Sequence, residues 1–231
     1  MKRFLALLCG LGLILGAAGG ARAVTMADLF GGQTITVGDK LFSDWELFGV
    51  FVTDDAFLPD FSQIEVTGLD PLSLNPGLMF EANEQLSVSG LMNYIDLDFG
   101  FTVTVLDPLL RIKDNSLSLM QATIGRVDVD FGDPLIAIYE WVYDAAGSEL
   151  AEKYVEFSFL NDTISDQAQF APQQMIHVRK NILVSSLDEG DFARLDRFDQ
   201  RFSQAVIPEP GTFLLLGSGL AGLAAWRRRR G

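Results

Sequence analysis

Apolar and polar residues alternate with a period of two over much of this chain. Residues 33–37 (Gln-Thr-Ile-Thr-Val) alternate before Gly38-Asp39-Lys40 supplies a turn into Leu41-Phe42. Trp45, Leu47, Phe48, Val50 and Phe51 continue a strand-like run to Asp54-Asp55, and residues 64–67 alternate and close on Gly68. Residues 99–106, 117–124, 127–131 and 135–143 are further strands, each bounded by Gly, Asp or Pro. Asp144-Ala145-Ala146-Gly147-Ser148 reads as a hairpin loop leading into a strand at 154–159. Over 175–183, Ile176, Val178, Lys180 and Ile182 share one face, with His177, Arg179 and Asn181 on the other. Short strands so spaced, without long helical periods, predict an all-β fold: one antiparallel β-sandwich domain. The segment 190–204 fits two periods. Phe192, Leu195, Phe198 and Phe202 recur at helical spacing, whereas alternation gives a strand with Phe192, Phe198 and Phe202 on one face. The strand is preferred.

The two ends depart from this texture. Lys2 and Arg3 precede an apolar run over 4–18, and Ala21-Arg22-Ala23 supplies small residues where a signal peptidase reads. This predicts a signal peptide over 1–23, cut between Ala23 and Val24. A lipoprotein signal at Cys9 is disfavoured, because Cys9 comes only six residues after Arg3. At the other end, Pro208-Glu209-Pro210-Gly211 cannot sit within a helix or a central strand, since each proline fixes φ and lacks an N–H. An apolar stretch of 15 residues, 212–226, follows and is predicted as a transmembrane helix; Arg227, Arg228, Arg229 and Arg230 then stop it. The arginines belong on the cytoplasmic side, which puts the Pro-Glu-Pro and everything before it outside. At 1.5 Å per residue the apolar stretch reaches about 22 Å, short of a hydrocarbon core of roughly 30 Å, so it is a poor permanent anchor. Gly217, Ser218, Gly219, Ala221 and Gly222 offer a small-residue face for another helix.

The ordered trio of Pro208-Glu209-Pro210, short apolar helix and terminal arginine cluster resembles the PEP-CTERM sorting signal of exopolysaccharide-producing Gram-negative bacteria. The resemblance covers residues 207–231. It implies processing by an exosortase, a membrane-embedded cysteine transpeptidase, near Pro208, Glu209, Pro210 and Gly211, with Arg227 to Arg230 as the retention stop. The N-terminal signal makes signal peptidase a partner, and the resemblance also implies a transient stay in the inner membrane, delivery to the cell surface or exterior, and an association with exopolysaccharide or biofilm. Many regions ahead of this signal look like all-β domains ending in a strand, which favours the strand at 190–204.

Composition narrows what the intervening segment can do. Cys9 is the only cysteine, so residues 24–206 have no disulfide, no thiol nucleophile and no cysteine metal site. Residues 24–210 hold ten basic and 31 acidic residues, a net charge of −21, which repels nucleic acid and anionic lipid. His177 is the sole histidine and no Gly-x-Ser-x-Gly elbow precedes the tail, so a serine–histidine relay is not expected. A non-enzymatic protein without cofactor is the reading, with structural calcium the exception considered. Asp128, Asp130 and Asp133 form an Asp-x-Asp start, but glycine stands fifth and Tyr139 occupies the twelfth position where an EF-hand needs glutamate. Asp96 and Asp98 read as solvent-face charges, and Asp188-Glu189-Gly190-Asp191 as a turn. Tyr139, Trp141 and Tyr143 share one strand face and are either packed against neighbours or a sugar-stacking row. The alternatives to a passive surface protein are therefore a carbohydrate-binding module, which needs exposed aromatics, and a secreted hydrolase, which needs two convergent carboxylates in a cleft.

Overall fold

The computed structural model describes residues 23–127, 132–207 and Arg227. A short strand β1 (Val24–Thr25) leads into helix α1 (Met26–Phe30). There follow β2 (Ile35–Val37), β3 (Lys40–Val52), β4 (Glu65–Leu69), β5 (Gly77–Glu81), β6 (Ser87–Ser89) and β7 (Asn93–Val105). The remainder is β8 (Leu110–Gly125), β9 (Leu135–Asp144), β10 (Glu149–Ser158), β11 (Asp162–Thr163), β12 (Ser165–Gln173), β13 (Met175–Ser186) and β14 (Phe192–Val206). Among the described residues these make two antiparallel sheets. The first runs β1-β4-β5-β14-β8-β12, with β6 also on β14; the second runs β11-β10-β9-β13-β7-β3-β2. The architecture is all-β and sandwich-like, as the alternation predicts. No helix among the described residues is long and apolar enough to cross a membrane; the predicted transmembrane stretch, 212–226, lies outside them.

Rings from both sheets close the core. Phe80 of β5 stacks on Phe198 of β14 at 4.4 Å and meets Phe99 of β7 and Trp45 of β3 across the sandwich at 6.1 and 6.2 Å. Phe42 bridges to Phe202 at 5.6 Å. Helix α1 is nucleated by Thr25, whose hydroxyl accepts from the Asp28 N–H, and it buries Met26 and Leu29 against this core. The β2–β3 hairpin turns on Gly38 at φ +60°, where a Cβ would lie 2.5 Å from the Pro71 carbonyl oxygen; only glycine fits both the angle and the approach.

Three expectations change. Several strands are long rather than short: β8 has 16 residues and β14 has 15. Val127 is not part of a strand, and the rest of the segment 128–131 is outside the described residues. Residues 192–206 form a strand as expected, but its rings do not share a face. The register against β8 slips between Leu195 and Arg197 and again before Phe198. Ala193 and Leu195 point inward before the slip and Phe198 and Phe202 after it, while Phe192 stays exposed.

One cluster in the core is charged. Glu140 of β9, Lys153 of β10 and Lys180 of β13 all stand at inward positions of the second sheet; Glu140 and Lys153 meet Asn115 of β8, and all four side chains are buried. Glu140 Oε1 accepts from Lys153 Nζ and from Asn115 Nδ2, each at 2.6 Å, and Lys180 Nζ donates to Oε2. Lys153 Nζ also donates to Asn115 Oδ1 at 2.6 Å. Burial works to raise the Glu140 carboxyl, yet the two ammonium groups hold it below the usual carboxylate range. For Lys180, burial dominates over the attraction of Glu140 and pushes the amine down to about 8 from 10.5. Between pH 8 and 10 the unfolded chain therefore binds more protons at this site than the folded one, and stability rises with pH. Urea unfolding is expected to gain on the order of 2 kcal/mol from pH 8 to pH 10. The slope should shrink in Lys180→Met, leaving the share of Lys40, whose amine is also lowered by burial. Tyr154, raised by burial and its bond to Glu156, adds the opposite trend above pH 10.

Candidate functional site

The outer face of the second sheet is the most differentiated surface among the described residues. Antiparallel pairing lines up three rows across it. Tyr154 of β10 stands opposite Tyr139 of β9, which faces Asn181 of β13 and then Asp98 of β7. The next row is Glu152, Trp141, Arg179 and Gly100, and the third holds Tyr143, His177 and Thr102. The predicted aromatic row thus points to solvent, not into the core. Tyr139 is 36% exposed, and Trp141 and Tyr143 are half-buried by their neighbours on the same face. The Tyr139 and Trp141 planes lie within 13° of parallel with centroids 6.1 Å apart, and Tyr154 packs on Tyr139 at 4.4 Å.

Polar groups interleave with the rings and are held in place. Arg179 forms a fork to both oxygens of Asp98, and Asn181 donates to Asp96 Oδ1 at 2.5 Å. The Asp98 bonds raise the Arg179 guanidinium further. His177 Nδ1 lies 3.0 Å from the Thr102 hydroxyl. Tyr154 donates to Glu156 Oε2 at 2.6 Å. Partial burial of Glu156 acts the other way, but its bonds from Tyr154, Ser158 and Asn161 hold it below the usual range.

Two neighbouring clefts cut into this face. The larger, about 370 Å³, lies between β3 and β13, with Asp44, Glu46, Phe48, Thr102, Tyr143 and His177 in its walls. The smaller, about 250 Å³, is formed by Asp98, Trp141, Tyr143, Arg179 and Asn181. Tyr143 and Arg179 belong to both. Gly100 makes room between them: a Cβ there would meet the Val178 carbonyl oxygen at 2.8 Å and the Phe48 ring at 3.0 Å. Phe48 can therefore lie close to the sheet, with the Arg179 guanidinium 4.9 Å above its ring.

The other predicted residues fall elsewhere. Asp133 pairs with Arg126, while Asp128 and Asp130 lie outside the described residues. No group of three His, Asp or Glu side chains suited to a metal occurs among the described residues. Asp188 to Asp191 is the β13–β14 turn, with Gly190 at φ +90° and Asp191 Oδ1 accepting from the Val127 N–H. Val24 opens β1 opposite Val66, next to Ala23. Of the sorting segment, Arg227 is described; Pro208, Glu209, Pro210, Gly211, Arg228, Arg229 and Arg230 lie outside, as does Ala21.

Sequence comparison decides what the tail is. Residues 206–230 match the PEP-CTERM protein-sorting motif. The chain carries a PEP-CTERM sorting signal. That signal implies export, a membrane-held intermediate and an exosortase as the processing partner. No curated protein matches the chain. Solved structures similar to this PEP-CTERM chain include a carbohydrate-binding module of the β-sandwich superfamily studied for promiscuous specificity (11% identity, 81% of this chain and 63% of that one, TM-score 0.26). Others are a carbohydrate-binding module that recognises mannan (8% identity, 80% and 95%, TM-score 0.30) and a DUF4465 family protein from Bacteroides caccae (14% identity, 71% and 94%, TM-score 0.26). The chain thus spans less than two thirds of the first of these structures. Likeness of this extent carries no argument about a ligand.

Proposed function

We propose that this is an exported, non-enzymatic surface or matrix protein in three parts. Residues 1–23 are a signal peptide, 24–206 an extracellular β-sandwich domain, and 207–231 the signal that an exosortase removes. On this reading the outer face of the second sheet contacts a neutral polysaccharide of the cell exterior. The observation that supports the sugar contact is the water-facing row of Tyr139, Trp141 and Tyr143, interleaved with Arg179, Asn181 and Asp98. Ring faces stack on the apolar face of a pyranose, and fixed polar groups beside them bond its hydroxyls. The acidic surface disfavours an anionic glycan.

A glycan array probed with the purified protein tests this, followed by titration of the best binder against Trp141→Ala. Loss of one stacking ring is expected to weaken binding about tenfold or more, with urea stability within about 1 kcal/mol of the parent. Absence of binding to any neutral glycan overturns the sugar contact. Release of reducing ends would replace it with a hydrolase, for which Asp44 and Glu46 in the larger cleft are the carboxylates to substitute.

A further inference from the structure

The buried Asn115–Glu140–Lys153 cluster has the layout of a reaction centre, and nothing in sorting or sugar contact uses it. We propose that Lys153 and Asn115 become joined by an intramolecular isopeptide bond, with Glu140 carrying protons from the attacking to the departing nitrogen. Three features of the geometry point to this. The amine Nζ is already bonded to the side-chain amide it would attack, at 2.6 Å from Oδ1. A single carboxylate oxygen, Glu140 Oε1, lies 2.6 Å from that Nζ and 2.6 Å from Nδ2, the group that must leave. Proton relay between two nitrogens needs one acceptor in reach of both, and here one atom is. Burial of all three side chains keeps out the water that would otherwise compete for the amide.

The step balances without a co-reactant. The Lys153 ammonium passes a proton to Glu140, and the freed lone pair on Nζ attacks Cγ of Asn115 while the C=O electrons move to Oδ1. A second proton leaves Nζ through Glu140. As the C=O re-forms, the Cγ–Nδ2 bond breaks and Nδ2 departs with both protons as ammonium. Nζ keeps one hydrogen as a secondary amide, and nothing is oxidised or reduced.

Charge supplies the reason for the second lysine. Before the step the cluster holds two ammonium groups against one carboxylate, an excess cation in a dry core. Afterwards the excess has left as ammonium, and Lys180 on Oε2 balances Glu140. The bond would staple β8 of the first sheet to β10 of the second, across 38 residues of chain. It would give a cysteine-free exported domain the covalent tie that disulfides give others.

Peptide mapping of the purified full chain decides it. Trypsin should fail to cut at Lys153, and residues 114–126 should stay attached to 127–179 through the side chains, with the linked pair lighter by one ammonia, about 17 Da. Fragmentation should place the link on Asn115 and Lys153. Asn115→Ala and Glu140→Gln should each release 114–126 as a free peptide. Recovery of free, full-mass 114–126 from folded parent protein overturns the proposal, and so does a link through Lys180. The parent digest alone is decisive if the variants do not fold.

Discussion

Replacing Glu140 with alanine is expected to lower the unfolding free energy by roughly 3–5 kcal/mol, the usual cost of removing one partner from a buried ion pair. The carboxylate is completely buried and satisfies two lysines and an asparagine at once. Its loss leaves Lys153 and Lys180 as like charges in a dry core, with only Lys153 keeping its bond to the Asn115 oxygen. Lys180, already lowered by burial, would then lose its one stabilising carboxylate and shed its proton more readily. Urea unfolding near neutral pH measures the effect directly. By contrast, Glu152→Ala, on the outer face of the neighbouring strand, should change stability by less than about 0.5 kcal/mol. A Glu140→Ala variant as stable as the parent would show that the cluster contributes nothing to the fold.

The second large effect is on delivery. Residues 206–230 match the sorting motif. On the proposed reading, replacing Arg227, Arg228, Arg229 and Arg230 with serine removes the charges that would hold the tail on the cytoplasmic side. Replacing Glu209 with alanine leaves both prolines and changes only the charged group between them. Each change is expected to reduce the extracellular protein at least tenfold, with uncleaved chain accumulating in the cell. Immunoblots of medium and membrane fractions, at matched expression, read this out. Unchanged delivery in both variants would mean that the tail is not what sorts the protein.

Much of the fold was legible because a strand with one wet face must alternate. Residues 175–183 carried their parity so plainly that both faces of β13 were assigned correctly. The edge strand β12 was missed because it lacks that contrast: it is mostly polar and half-exposed or exposed along its length, with Pro172 inside it. The bulges in β14 defeat any fixed period, so the faces of Phe192 and Phe198 could not be read from spacing.

The site divides in the same way. Tyr139, Trp141 and Tyr143 were placed on one face, but whether that face was wet depended on the opposite parity. There Ile136, Ile138 and Val142 are buried, and Glu140 is buried with them. A charge at an apolar position was the available signal: Glu140, Lys153 and Lys180 each occupy one in their own strand. That they meet one another and Asn115 is a matter of sheet order, which alternation does not encode. Phe48 and Gly100 joined the site for the same reason, through the β3–β7 pairing.

The central claim is that the chain is cut at its tail and released or transferred outward. Mass spectrometry of the protein recovered from the culture medium tests it most directly. The expected form begins at Val24 and ends near Pro208-Glu209-Pro210, without the apolar stretch or the terminal arginines. An extracellular protein that still carries Arg227 to Arg230 would contradict the account.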